Sequence, residues 1–208
     1  MRRQARSQVP PGCLDANALL KAVVRDCKLI DWQHPRINDV RYPEFLLFFR
    51  NVPKLTRHHL VIGANFVYGW MPTMVDFRSE EFELCVNHLE RARTQHDLGA
   101  DEVEQLAGLI NNSVVGASKL LHVVAPEHYS IWDSRVAKYL GATLATNKAA
   151  CAKQYVSYND VCRSLASSRE ATMLAKDLSA HVGCSLSPLR ALELVMFYAS
   201  ADGRSYRA

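Results

Sequence analysis

Apolar residues recur at helical spacing along most of this chain, and no convincing alternation of period two appears. Leu19, Leu20, Val23, Val24 and Cys27 mark a first amphipathic helix, with Asp15 near its start. A loop is expected over Asp31–Val40, then a short apolar run, Phe45 to Phe49, bounded by Pro43 and Pro53. Leu55 to Tyr68 is apolar nearly all round, which predicts a buried central helix. Ser79-Glu80-Glu81-Phe82 reads as a capping sequence for a helix reaching about Thr94. A further helix starts at Asp101 with Val103, Leu106, Leu109 and Ile110 inward. Three more are expected from about Asn147 to Ala166, Glu170 to Val182 and Pro188 to Ala199, the proline suiting a first turn. With two helices in the middle of the chain, the reading is an all-α bundle of about nine or ten helices.

Length and composition change this picture little. The chain has 208 residues, of which 49% are hydrophobic and 22% charged, as in an ordinary globular domain. That suits one helical domain over 13–203, or two lobes with a cleft, between a basic arm at 1–12 and a short basic tail at 204–208. Arg2, Arg3 and Arg6 in the arm and Arg204 and Arg207 in the tail read as solvated ends. No apolar run approaches the ~18–20 residues that span a bilayer, and no secretory signal opens the chain. The six cysteines are scattered singly, without a C-x-x-C pair or a clustered four-cysteine run, which argues against zinc and iron–sulfur sites. No cofactor or metal is expected. Scattered thiols and no export signal point to a reducing cytoplasm, at the nucleoid if the source is bacterial. The net charge of +4 is compatible with a polyanionic partner.

The chemistry concentrates between Ser113 and Thr143. Gly116 stands before a helical run whose apolar face is Leu120, Leu121, Val123 and Val124, and Pro126 ends it. Tyr129, Ile131 and Trp132 then lead to Asp133, a good N-cap for a short helix carrying Val136, Tyr139 and Leu140 and stopped at Gly141. A carboxylate is thus held at one helix start behind aromatic packing, with Lys119 near the start of the helix before it.

This stretch resembles the core motif of the helix-hairpin-helix DNA glycosylases. In that family a Val-Gly turn opens a helix carrying the lysine of the bifunctional members, and a loop leads to an aspartate followed by x-x-Val. The counterparts here are Val115-Gly116, Lys119 and Asp133-Ser134-Arg135-Val136. The family lysine stands two residues after the glycine, where this chain has Ser118, as adenine-type monofunctional members would. The connecting segment is shorter by roughly one turn, and Asn112-Ser113-Val114 replaces the leucine-proline-glycine start of the hairpin. The resemblance implies a two-lobed helical fold, DNA as partner, and Asp133 and Lys119 as catalytic residues; the oligomeric state is left open, with a monomer favoured.

Breaking the C1′–N bond of a nucleotide passes through a cation-like sugar, which a carboxylate stabilises. Asp133 suits that role, and it equally suits simple capping; the two are compatible. A desolvated Lys119 amine could form a Schiff base with the sugar, adding a lyase step. Gly116 and Ser118 could present backbone N–H groups to a phosphate, and Arg135 and Lys138 could contact the backbone. Trp132, Tyr68, Trp70 and Tyr129 are candidates to stack on an extruded base, and His122 to hydrogen-bond near Asp133. Arg190 and Glu193 read as a helix-face ion pair that locks the last helix to the core. The expected function is therefore hydrolysis of the N-glycosidic bond of a damaged, mismatched or modified base. The alternatives are a non-catalytic nucleic-acid-binding module of the same fold and a helical protein-interaction module. Location separates them: catalysis requires Asp133 to line a cleft beside Lys119 or Ser118.

Overall fold

The computed structural model describes residues 14–33, 37, 39–71 and 73–206. Among these the protein is all-α, with ten helices and a single isolated bridge between Phe77 and Ile110. The helices are α1 (Ala16–Cys27), α2 (Arg41–Arg50), α3 (Arg57–Trp70), α4 (Phe82–Thr94) and α5 (Ala100–Leu109). They continue as α6 (Val114–Val124), α7 (Ser134–Tyr139), α8 (Lys148–Ala166), α9 (Arg169–Val182) and α10 (Pro188–Ala201). The expected arm at 1–12 and Arg207 lie outside the described residues. None of the described helices is long and apolar enough to cross a membrane.

Local chemistry sets most boundaries. Asp15, Ser113, Asp133, Asn147, Ser168 and Ser187 each cap a helix with a side-chain oxygen, filling backbone donors that the first turn leaves open. Gly183 ends α9 in the left-handed region, at φ 75°. Two starts differ from expectation. Ser79 does not cap α4; that helix begins after Glu81 without a side-chain cap. At α5, Glu102 reaches back to the Gly99 N–H at 3.0 Å, so the helix begins just before Asp101.

The core is one continuous cluster running through all ten helices. α1 packs on α8, α9 and α10; α10 also packs on α7; α2 and α3 pack on α6, and α5 and α6 pack on α8. The helices buried along most of their length are α6 and α10, not the 55–68 segment. In α3, Val61, Ile62 and Phe66 are only half-buried. Phe66 instead joins a peripheral aromatic group with Phe45 and Phe48, at ring-centroid distances of 5.0 and 5.2 Å. The C-terminal end is docked, not solvated: Arg204 Nη2 donates to the Leu29 carbonyl at 3.2 Å, and the Tyr206 N–H to the Tyr139 carbonyl at 3.1 Å.

Gly116 lies inside the first turn of α6, three residues past the Ser113 cap, whose Oγ accepts its N–H at 3.1 Å. A β-carbon at this position would fall on the Tyr68 hydroxyl and lie 3.0 Å from two of its ring carbons. The glycine therefore lets α3 approach α6. In an ordinary helix Gly→Ala is stabilising by up to about 1 kcal/mol. Here Gly116→Ala is expected to destabilise instead, by about 1–3 kcal/mol from overpacking. Urea denaturation of the two proteins checks the sign; an alanine variant at least as stable as wild type contradicts this packing.

Candidate active site

Two hydrogen-bonded latches fix the segment that leads to Asp133. The Asn159 side chain accepts the Ser130 N–H at 2.7 Å and donates to the His128 carbonyl at 3.1 Å. One turn into α6, Ser118 Oγ accepts the Trp132 N–H at 3.0 Å. Its own proton faces the carbonyls of Val115 (2.9 Å) and Trp132 (3.2 Å). Ser118 and Trp132 are both completely buried. Lys119 and Asp133 each follow a latched residue in the chain, so the Ser118–Trp132 latch brings both to the same edge of the fold.

There they line one cavity of about 500 Å³, within the roughly 300–1,000 Å³ range of small-molecule sites. α6 supplies Lys119, and the start of α7 supplies Asp133 and Arg135. α10 supplies Arg190, Glu193 and Phe197, α3 supplies Trp70, the approach to α2 supplies Asp39, and α2 supplies its first residue, Arg41. Asp133, 9% exposed, caps α7 with one oxygen: Oδ1 accepts the N–H groups of Arg135 and Val136, each at 2.9 Å. Both hydrogen bonds that it accepts among the described residues go to that atom, which leaves Oδ2 for the cavity. Capping and a cavity-facing role thus coexist in one carboxylate.

Lys119 is half-buried, with its ammonium 5.5 Å from the centre of the Trp70 ring. It has no hydrogen bond or ion pair to any described residue. Burial pushes its proton affinity below that of an ordinary lysine; Asp133 and Glu193 pull it back up, and Arg190 lowers it. Trp70 is held in turn by its indole N–H, which donates to Asp39 Oδ2 at 2.8 Å. Asp39 also pairs with Arg41 at 2.8 Å, and the arginine holds this carboxyl below the usual range. Arg135 is exposed at the rim, with its guanidinium 4.5 Å from the Phe197 ring centre.

The chain matches no protein-family model, no curated protein and no solved structure.

Of the residues singled out in the sequence, the cavity gathers Asp133, Lys119, Trp70 and Arg135. Lys138 is exposed on α7 but off the cavity wall. The other five are internal, as is Tyr129, which is buried with its hydroxyl accepting the Leu98 N–H at 3.3 Å. The Gly116 N–H is taken by Ser113, and Ser118 by its latch, so neither offers donors to a phosphate. Trp132 packs against Tyr158 at 4.8 Å inside the core, where no base can reach it. Tyr68 is buried, with its hydroxyl donating to the Ile110 carbonyl at 3.3 Å. His122 is fully buried, with Nδ1 2.7 Å from the Tyr129 carbonyl and Nε2 2.9 Å from the Tyr42 hydroxyl. Only the tautomer with the proton on Nδ1 satisfies both, and burial pushes its pKa down to about 3. It is a neutral structural histidine that holds Tyr42. Among the described residues no group of three or more His, Cys, Asp or Glu is disposed to hold a metal ion.

What sequence reasoning placed in the core, the structure places on the wall. Arg190 and Glu193 pair as expected, but both line the cavity while 8% and 2% exposed. The Arg190 guanidinium lies 4.8 Å from the Tyr42 ring centre and 5.4 Å from that of Trp70, and its Nε has no hydrogen-bond partner among the described residues. An ionic pair three residues apart on an otherwise apolar helix was the available signal.

Proposed function

We propose that this protein is a DNA glycosylase-like enzyme that cleaves the N-glycosidic bond of a damaged, mismatched or modified base, with Lys119 and Asp133 as its catalytic pair. The observation that carries the reading is the shared cavity: it is lined by a partly desolvated amine with no hydrogen bond or ion pair to a described residue and by a carboxylate whose hydrogen bonds among the described residues all fall on one oxygen. Such a pair matches what the reaction demands. The amine attacks C1′ as the bond to the base breaks, and the carboxylate stabilises the positive charge that develops on the sugar. An extruded nucleotide needs a pocket, an aromatic face and a cationic rim; Trp70 supplies the face, and Arg41 and Arg135 the rim. The resemblance of the 113–143 stretch to the helix-hairpin-helix glycosylases supports the same fold and partner.

Two assays on the purified chain test this. Duplexes carrying uracil, hypoxanthine or oxidised guanine are screened for base release, and an abasic-site duplex is incubated with borohydride. The expected results are release from at least one duplex and a covalent protein–DNA adduct on the abasic one. Failure of both removes the enzyme reading and leaves a helical binding module.

A further inference from the structure

Two carboxylates face this cavity from different surroundings. Asp133 caps α7, its Oδ1 accepting the N–H groups of Arg135 and Val136. Glu193 is held by α10 in the interior and reaches the cavity past Arg190, its one hydrogen-bonded partner among the described residues. A site that needs one ionised and one protonated carboxyl is built by this kind of contrast. The proposed reaction has that need, because the departing base leaves with an electron pair that must be capped by a proton.

We infer that Glu193 is the second catalytic carboxyl of this cavity, the group that protonates the leaving base. The inference rests on the glycosylase reading of Lys119 and Asp133. The step balances as follows. The Lys119 nitrogen forms a bond to C1′ while the C1′–N bond breaks, its electron pair passing to the base. The Glu193 carboxylic proton passes to the base, which leaves neutral, and Glu193 becomes a carboxylate. The substituted Lys119 ammonium then gives its surplus proton to Glu193, restoring the acid. No oxidant or other co-reactant is required.

Electrostatics agree with the geometry. Burial raises the pKa of Glu193, Asp133 raises it further, and Arg190 and Lys119 oppose; the balance is about 7. The groups that face it are Arg190 and Tyr198 on α10, Asp133 at α7, Lys119 on α6, Tyr42 on α2, and Tyr158 and Cys162 on α8. When Glu193 is neutral, Arg190 keeps its contacts with the Tyr42 and Trp70 rings. Release needs Glu193 protonated and the Lys119 amine free, so it declines on the alkaline side once pH passes the higher of the two titrations.

The test compares wild type, Glu193→Gln and Glu193→Asp in single-turnover release from the uracil, hypoxanthine and oxidised-guanine duplexes between about pH 5 and 9, the range over which a carboxyl perturbed to near neutrality titrates. The same proteins are trapped with borohydride on abasic duplex, where no base remains to be protonated. Glu193→Gln is expected to slow release by roughly 100-fold or more and to flatten the alkaline decline, while trapping keeps its maximal yield with the half-point moved to lower pH, because Glu193 favours the charged form of Lys119. Glu193→Asp, still an acid, keeps more release than the glutamine. Release by Glu193→Gln within about threefold of wild type, well short of what removing a general acid costs, overturns the role of Glu193 and leaves the glycosylase reading standing. So does a parallel fall in release and trapping, which marks a structural role. A wild type that neither releases base nor traps overturns both readings together.

Discussion

Lys119→Ala abolishes the borohydride-trapped adduct with abasic DNA. The amine is the reactive atom in that chemistry, and among the described residues no other lysine lines the cavity to replace it. The substitution leaves the fold intact, because the ammonium makes one long contact with Trp70, worth at most about 1 kcal/mol at a half-exposed site. The wild-type adduct should form faster as pH rises until the amine is deprotonated. That half-point lies on the acid side of an ordinary lysine, since burial outweighs the pull of Asp133 and Glu193. Trapping yield against pH measures it directly. An adduct of undiminished yield from Lys119→Ala assigns the nucleophile to another amine and breaks the link between this cavity and lyase chemistry.

The helices were legible in the sequence because each has its own apolar period and most have their own cap. Asp15, Asn147 and Pro188 announce their starts locally, and the structure begins helices at those points. What the sequence does not carry is which neighbour a face meets. Gly116 looks like a turn glycine, yet its cause is a tyrosine ring from a helix far earlier in the chain. Ser118 looks like a surface donor, yet both of its hydrogen-bonding capacities are spent inside on a segment beyond a loop. The 55–68 run looks uniformly apolar, but part of that surface meets a thin aromatic layer at the periphery.

The candidate site divides the same way. Asp133 stood out because a cap and a catalytic carboxylate share one sequence signature, and Lys119 because it falls at a helix start. Trp70 was readable as an aromatic at a helix end. Glu193 was not, because an acidic residue three positions from an arginine on an apolar helix reads as an internal tie. Only the approach of α7 to α10 turns that tie outward onto the cavity.

Asp133→Asn should separate the two roles of this side chain. Asparagine is as good an N-cap as aspartate, and its carbonyl oxygen can accept the Arg135 and Val136 N–H groups as Oδ1 does. Stability measured by urea denaturation should therefore stay within about 1 kcal/mol of wild type. Base release should fall by roughly 100- to 1,000-fold, the scale set by losing one aligned electrostatic group in a dry site. A second effect has the opposite direction. Asp133 favours the charged form of Lys119, so removing its charge lowers the proton affinity of the amine further. The pH at which abasic trapping reaches half its maximum should then move to lower pH in the variant, even as base release collapses. Single-turnover release and pH-dependent trapping on the same preparation read both. Should release persist within about tenfold of wild type, less than the loss expected for one such group, the carboxylate is a cap and nothing more. Should release collapse while the trapping curve stays where it was, Asp133 and Lys119 do not share an electrostatic environment, and the cavity has to be rebuilt around another pair.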